Sequence, residues 1–307
     1  MSGLTPGAET LVADEAALGL LPAGKPRSAA RRGWEVFVQN RMALISLVFL
    51  VIVVLACFVG PSLYHSDQTA TNIANANLRP GSGRPLGTDN SGFDELGRIM
   101  AGGQISLSVS ILAALVASLV GTVYGAVSGY VGGWLDSALM RLVDAALSIP
   151  FLILLIVLST IIKPSEFSMI MIIAGVSWLT TSRLIRGESL TLRSREYVQA
   201  VRTMGGGGNR IVFRHILPNA VGTIIVATTF TIADSILLLS YLSFLGFGLQ
   251  APHFDWGAML SNATNYEADG YWWQIYPVGI LLILVVCAFN FIGDALRDAF
   301  ETRLQQR

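Results

Sequence analysis

Groups able to do chemistry in this 307-residue chain are few, and their spacing argues against catalysis. Its three histidines, His65, His215 and His253, lie outside the centres of the apolar runs. A serine–histidine dyad within a membrane, or a histidine-based metal cluster, therefore has no material. Ser128-Gly129 follows Ala126-Val127 and lacks the first glycine of a nucleophile turn. Gly293-Asp294 follows Phe291-Ile292 and lacks the glycine pair of an intramembrane aspartyl protease. The glycine run Gly205–Gly208 has no strand-like lead and no Lys-Ser/Thr after it, so it is not a phosphate loop. What remains is ionisable residues inside apolar stretches. Asp234 has no local cation and is a candidate for a translocation path or for a hydrogen-bonded structural role. Arg141 and Asp144, three apart, can pair on one helix face, and Asp294 sits at the inner end of the last run.

These residues need membrane elements to hold them. Hydrophobic residues make up 53% and charged residues 13% of the chain, with a mean hydropathy of +0.60. Soluble domains carry roughly 25% charged residues. The formal net charge is zero, which gives no reason to expect nucleic acid. Cys57 and Cys287 fall inside apolar runs and read as packing residues. A crossing needs about 20 apolar residues. Six runs qualify, at about 43–63, 105–128, 139–162, 168–185, 219–248 and 274–293. Gly121, Gly125 and Gly129 repeat at every fourth position of the second, a stripe suited to close helix packing.

Arginines orient the runs. Lys25, Arg27, Arg31, Arg32 and Arg41 precede the first, and Arg183, Arg186, Arg193, Arg195, Arg202, Arg210 and Arg214 cluster between the fourth and fifth. Arg297, Arg303 and Arg307 follow the sixth, and no Lys or Arg occurs from 215 to 296. Cationic loops stay inside, so both termini and the 187–217 loop are expected in the cytoplasm. Arg79, Arg84 and Arg98, in the external segment, are the exception. Trp256, Trp272, Trp273, Tyr266, Tyr271 and Tyr276 would form an outer interfacial belt, or touch a docked protein.

The expected organisation follows: residues 1–41 a cytoplasmic tail with an interfacial helix, 42–63 the first transmembrane helix, 64–103 an external segment, 104–294 the membrane core, and 295–307 a cytoplasmic C-terminus. Within the core, the loop at about 188–218 is amphipathic. A helix is expected from Glu188 through Met204, broken by Gly205–Gly208 because glycine costs about 1 kcal/mol in a helix. Asn209 can cap a second short helix, and Pro218 fits the first turn of the fifth run.

Within REYVQAVRTMGGGGNRIVFRHILPN, the order of Ala200, Gly205 and Leu217-Pro218 resembles the "EAA" coupling loop of permease subunits in ATP-binding-cassette importers. LGTDNSGFDELGRIMAGGQISL (86–107), GGWLDSALMRLVDAALSIPFLILL (132–155), LSYLSFLGFGLQAPHFDWGAML (239–260, including an external re-entrant segment) and FNFIGDALRDAFETRL (289–304) resemble the dipeptide and oligopeptide branch, closest to its "C" permease. Gln199 and Val201 stand where the motif has Glu and its second Ala, and Leu239 stands where relatives often carry an acid.

The resemblance implies an all-α, six-span permease of the type I importer fold in a bacterial inner membrane. Glu196, Gln199, Ala200, Arg202, Gly205, Arg214, Leu217 and Pro218 would dock an ATPase, and Asp234 would line the path. It implies a homologous second permease, two cytoplasmic ATPases that bind ATP and Mg2+, and an external solute-binding lipoprotein. The chain itself would be non-catalytic and hold no cofactor. Peptides are the expected cargo. Nickel, haem or glutathione on the same scaffold, or secondary transport without an ATPase, are the alternatives, although no inverted halves are visible.

Overall fold

The computed structural model describes residues 35–250 and 252–304. The expected tail therefore lies outside the described residues up to position 34. Asn40 opens α1 (Arg41–Phe58), its Oδ1 accepting from the Ala43 amide at 3.2 Å. Ala43, Ser46, Leu50, Val53 and Cys57 recur at helical spacing and are buried, whereas Ile45, Ile52 and Leu55 on the other face are exposed, as a helix bordering lipid requires.

An extended segment then leads to Asp94, whose Oδ2 accepts from Gly97 N at 2.8 Å and caps α2 (Glu95–Val131). With 37 residues, α2 is roughly 55 Å long, well beyond the about 30 Å of hydrocarbon. Next come α3 (Gly133–Leu147) and α4 (Phe151–Ile161), bent by 82°. The single crossing expected over 139–162 is thus two helices. Pro150 supplies no amide to continue α3 and holds an extended backbone (φ −54°, ψ 118°) before α4. Among the described residues five helices are long and apolar enough to cross alone, and there are six crossings if the bent pair is one of them.

A reciprocal Ser165–Ser168 capping box starts α5 (Glu166–Arg193), which also exceeds one crossing. Its C-terminal half lies along α2 with the glycine stripe between them. A Cβ on Gly121 would stand 2.7 Å from Trp178 O, and one on Gly129 2.7 Å from Arg186 O; one on Gly125 would run into Ser182 O. The backbones touch because the side chains are absent. Ser189 Oγ donates to Ala126 O at 3.0 Å across the same seam.

The short helices α6 (Glu196–Thr203) and α7 (Gly208–Ile211) precede α8 (Val221–Phe244), α9 (Trp256–Thr264) and α10 (Trp272–Leu304). One core joins α2, α4, α5 and α8 through Ala113, Leu155, Ile173 and Leu239. A second joins α1, α2, α8 and α10 through Leu50, Leu107, Ile236 and Val285.

Two tryptophans depart from the expected belt. Trp256 and Trp273 are buried, their indoles donating to Ile99 O (3.0 Å) and Thr88 O (3.1 Å), while Trp272 and Tyr276 are exposed. An indole N–H inside a protein needs an acceptor; the second turn of α2 provides one for Trp256 and the loop before α2 one for Trp273. Arg98, one of the exceptional cations, is also internal. It stacks between Phe93 (4.2 Å) and Phe254 (4.1 Å) and pairs with Asp89 at 3.2 Å. Its charge is neutralised locally, which explains why it does not oppose the arginine bias.

Candidate functional site

The loop between α5 and α8 is built differently from the single helix expected over Glu188–Met204. Arg195 is extended (φ −69°, ψ 143°), so α5 ends at Arg193 and α6 begins at Glu196. The Gln199 amide donates to the Arg193 carbonyl freed by that break, at 3.0 Å. The change of direction puts Val198 into a core with Ala126, Ile185 and Leu192.

Glycine closes α6 through a Schellman motif. Gly205 has φ +84°, its amide donates to Arg202 O at 3.1 Å, and the Gly206 amide reaches Val201 O at 2.9 Å. Only glycine adopts that conformation without strain. Gly207, not Asn209, precedes α7, and no side chain caps it; Asn209 is already inside the helix. A wide π-type turn, Val212–Ile216, follows, with Leu217 N bonded to Val212 O. Pro218, in the short turn Leu217–Asn219, lacks an amide and its ring crowds the carbonyl four residues back, so a regular helix cannot pass here. The fifth crossing accordingly starts later than expected, at Val221.

Glu196, at the positive end of α6, and Arg202, at its negative end, complement the helix dipole, and both are exposed. Gln199, Ala200, Gly205, Arg214 and Pro218 are exposed as well. Tyr197, Met204 and Phe213 add apolar side chains to the same surface. Leu217 is half-buried against the core below, where Ile211, Val212 and Ile216 join Val198, Ile185 and Leu192. The loop therefore presents an exposed outer face while its inner face is packed into the ends of α2 and α5.

Two ion pairs tie α3 to that same α5. Arg186 grips Asp136 with Nε and Nη2, each at 2.6 Å, and Ser128 Oγ donates to Asp136 at 2.5 Å. Asp144 pairs with Arg183 and not, as its spacing suggested, with Arg141. Sequence reasoning missed Asp136. The only signal was an acid in the first turn of an amphipathic helix, with a matching arginine 50 residues away.

Asp234 sits midway along α8, exposed, in a groove of about 440 Å³ walled by α4, α5 and α8. It lies apart from the loop residues, so the two sets of expected site residues form two places.

Two family descriptions match the chain. "Binding-protein-dependent transport system inner membrane component" covers residues 121–306, and "N-terminal TM domain of oligopeptide transport permease C" covers residues 28–80. The oligopeptide transport system permease protein OppC of Escherichia coli strain K12 is 41% identical over 269 residues, 87% of this chain and 89% of the relative. The dipeptide transport system permease protein DppC of Bacillus subtilis strain 168 is 34% identical over 279 residues, 91% of this chain and 87% of the relative.

Proposed function

Because the chain belongs to the family of inner-membrane components of binding-protein-dependent transport systems, we propose that it is the permease that forms half of a peptide path and receives the thrust of an ATPase at residues 195–218. As a member it is a multi-pass, non-catalytic subunit of an ATP-binding-cassette importer, and ATP is hydrolysed by a separate chain. Peptides are favoured over nickel, haem or glutathione because the relatives are named as oligopeptide and dipeptide permeases. A second, homologous permease completes the path, two cytoplasmic ATPases carry ATP and Mg2+, and an external binding protein delivers the cargo.

The observation that carries the coupling role is the inner face of the loop. Val198, Ile211, Val212 and Ile216 are buried against Ala126, Ile185 and Leu192. A force applied to the exposed face of α6 and α7 is delivered to the ends of α2 and α5. Those two helices have touching backbones and cannot absorb it by sliding. The force therefore tilts the pair and, through the α3 ion pairs, reaches the bend before α4, on the wall of the groove. ATP-driven closure of the ATPases opens the path outward, and hydrolysis resets it. The nucleotide shifts this equilibrium only through its different affinity for the two states.

Ala200→Trp and Gly205→Val test the assignment. Ala200 is exposed, and Gly205 meets no atom within 4 Å of a built Cβ, so neither variant disturbs the buried core. Both should insert and pair with the second permease, yet lose ATPase co-purification or substrate-stimulated ATP hydrolysis. Normal binding and transport by both variants would rule out docking at this loop.

A further inference from the structure

We infer that Asp234 receives the α-ammonium group of the peptide in transit, so that the groove reads the amino end of its cargo; this rests on the peptide-permease reading above. Asp234 is, among the described residues, the only charged one lining the groove. Among the described residues nothing gives it a hydrogen bond or an ion pair, and no Lys, Arg or His reaches the cavity. A carboxylate midway along a membrane helix is costly unless a cation or water meets it. This one faces an open volume large enough for the end of a short peptide.

The opposite wall supplies the second observation. Ser177 is 7% exposed, lines the same cavity, and its Oγ has no hydrogen-bond partner. Buried hydroxyls are almost always paired; this Oγ is enclosed as the side chain stands, and a turn about χ1 towards the cavity would let it meet a ligand or water. Thr180, exposed, and Thr181 follow it one turn on along α5, and Phe151 and Tyr241 also line the groove. Hydroxyls both donate and accept. One carboxylate opposite a row of hydroxyls therefore fits a ligand with one fixed cation followed by amide groups, and it makes no demand on side chains. A peptide with a free amino terminus has that pattern, since its ammonium is charged at neutral pH.

The test uses the whole importer, both permeases with ATPases and binding protein, in proteoliposomes. Uptake of trialanine is compared with uptake of propionyl-dialanine, which has the same length but no ammonium. Each variant's rate is divided by the wild-type rate for the same compound, which cancels the binding protein's own preference. Asp234→Asn should lower trialanine uptake by about tenfold, leave propionyl-dialanine within about twofold, and be rescued by Asp234→Glu. Equal loss on both compounds assigns Asp234 to subunit packing, and no loss on either removes it from the path; each result overturns the inference. Where the binding protein refuses the analogue, trapping decides. With Cys57 and Cys287 replaced and a mild thiol oxidant such as diamide added, which takes up the two electrons and two protons, Thr180→Cys should form a disulfide with a peptide bearing cysteine at its first residue severalfold more than at its last. Equal trapping overturns the inference while leaving peptide transport intact. Wild-type importer that moves no peptide, with a Thr180→Cys variant that traps none, overturns the peptide reading itself.

Discussion

Arg186 and Asp136 meet through two parallel contacts of 2.6 Å, joining the helix that leads into the loop at 195–218 to the helix that leads into the bend at Pro150. The guanidinium plane matches the carboxylate, and no lysine could reproduce both contacts. Asp136 is almost fully enclosed, while Arg186 remains 34% exposed.

Removing one partner of this pair should therefore cost more than removing both. Arg186→Leu leaves Asp136 enclosed with only Ser128 donating to it. A loss of about 2 kcal/mol is expected, below the about 3–5 kcal/mol of a fully buried pair because water reaches the arginine. The double variant Asp136→Leu/Arg186→Leu should recover much of it. Thermal unfolding of the purified permease pair reads both, and a double variant less stable than Arg186→Leu would contradict this account.

Gly125 should not tolerate a side chain. Its built Cβ runs into the Ser182 carbonyl and stands 2.9 Å from Arg186 N, both backbone atoms that cannot turn aside. Gly125→Val should abolish stable insertion, whereas Gly175→Ala, with nothing within 4 Å, should be neutral or gain a few tenths of a kcal/mol. Expression and detergent stability of the two variants distinguish the positions.

The arginine bias predicts that the N-terminus is cytoplasmic and the segment around α9 external. With Cys57 and Cys287 replaced, an impermeant thiol reagent applied to intact cells should label Ser261→Cys and spare Ser2→Cys. Labelling of the second position would reverse the topology.

Asp255 is fully buried and caps α9, accepting from Gly257 N (2.8 Å), Ala258 N (3.2 Å) and Ser243 Oγ (2.5 Å). Burial pushes its carboxyl above the usual range, and these hydrogen bonds offset part of that. A raised folded-state pKa means that the native state holds the proton longer than the unfolded chain. Its contribution is thus greatest below the unfolded value and falls as pH rises towards the folded one. Asp255→Asn should flatten this dependence in denaturation measured from mildly acid to neutral pH. Asp255→Ala should lose about 1–2 kcal/mol at every pH through the missing cap.

How far the sequence speaks depends on whether a feature is local. The crossings are legible because each is one long apolar run, and the seam between α2 and α5 because Gly121, Gly125 and Gly129 recur within a single helix. The bend at Pro150 is not, because hydropathy averages over a window and carries no direction. Asp144 was read against Arg141, its neighbour in sequence, but the fold offers Arg183 from another helix. Trp256 and Trp273 look like any outer aromatics until the carbonyls of Ile99 and Thr88 come within reach. Asn209 has the chemistry of a cap, but the chain turns two residues earlier, at Gly207.

The reach of those two indoles bears on how the subunit is made. Trp256 lies 157 residues after the carbonyl it meets, and Trp273 lies 185 after its own. The ribosome releases the loop before α2 and the start of α2 early, yet they receive these two fastenings only when α9 and α10 emerge. Until then the Thr88 carbonyl and the second turn of α2 lack their indole partners, and a chain halted midway would leave that segment open to proteases. Completion of synthesis is thereby registered at the entrance to α2, by two rings arriving late.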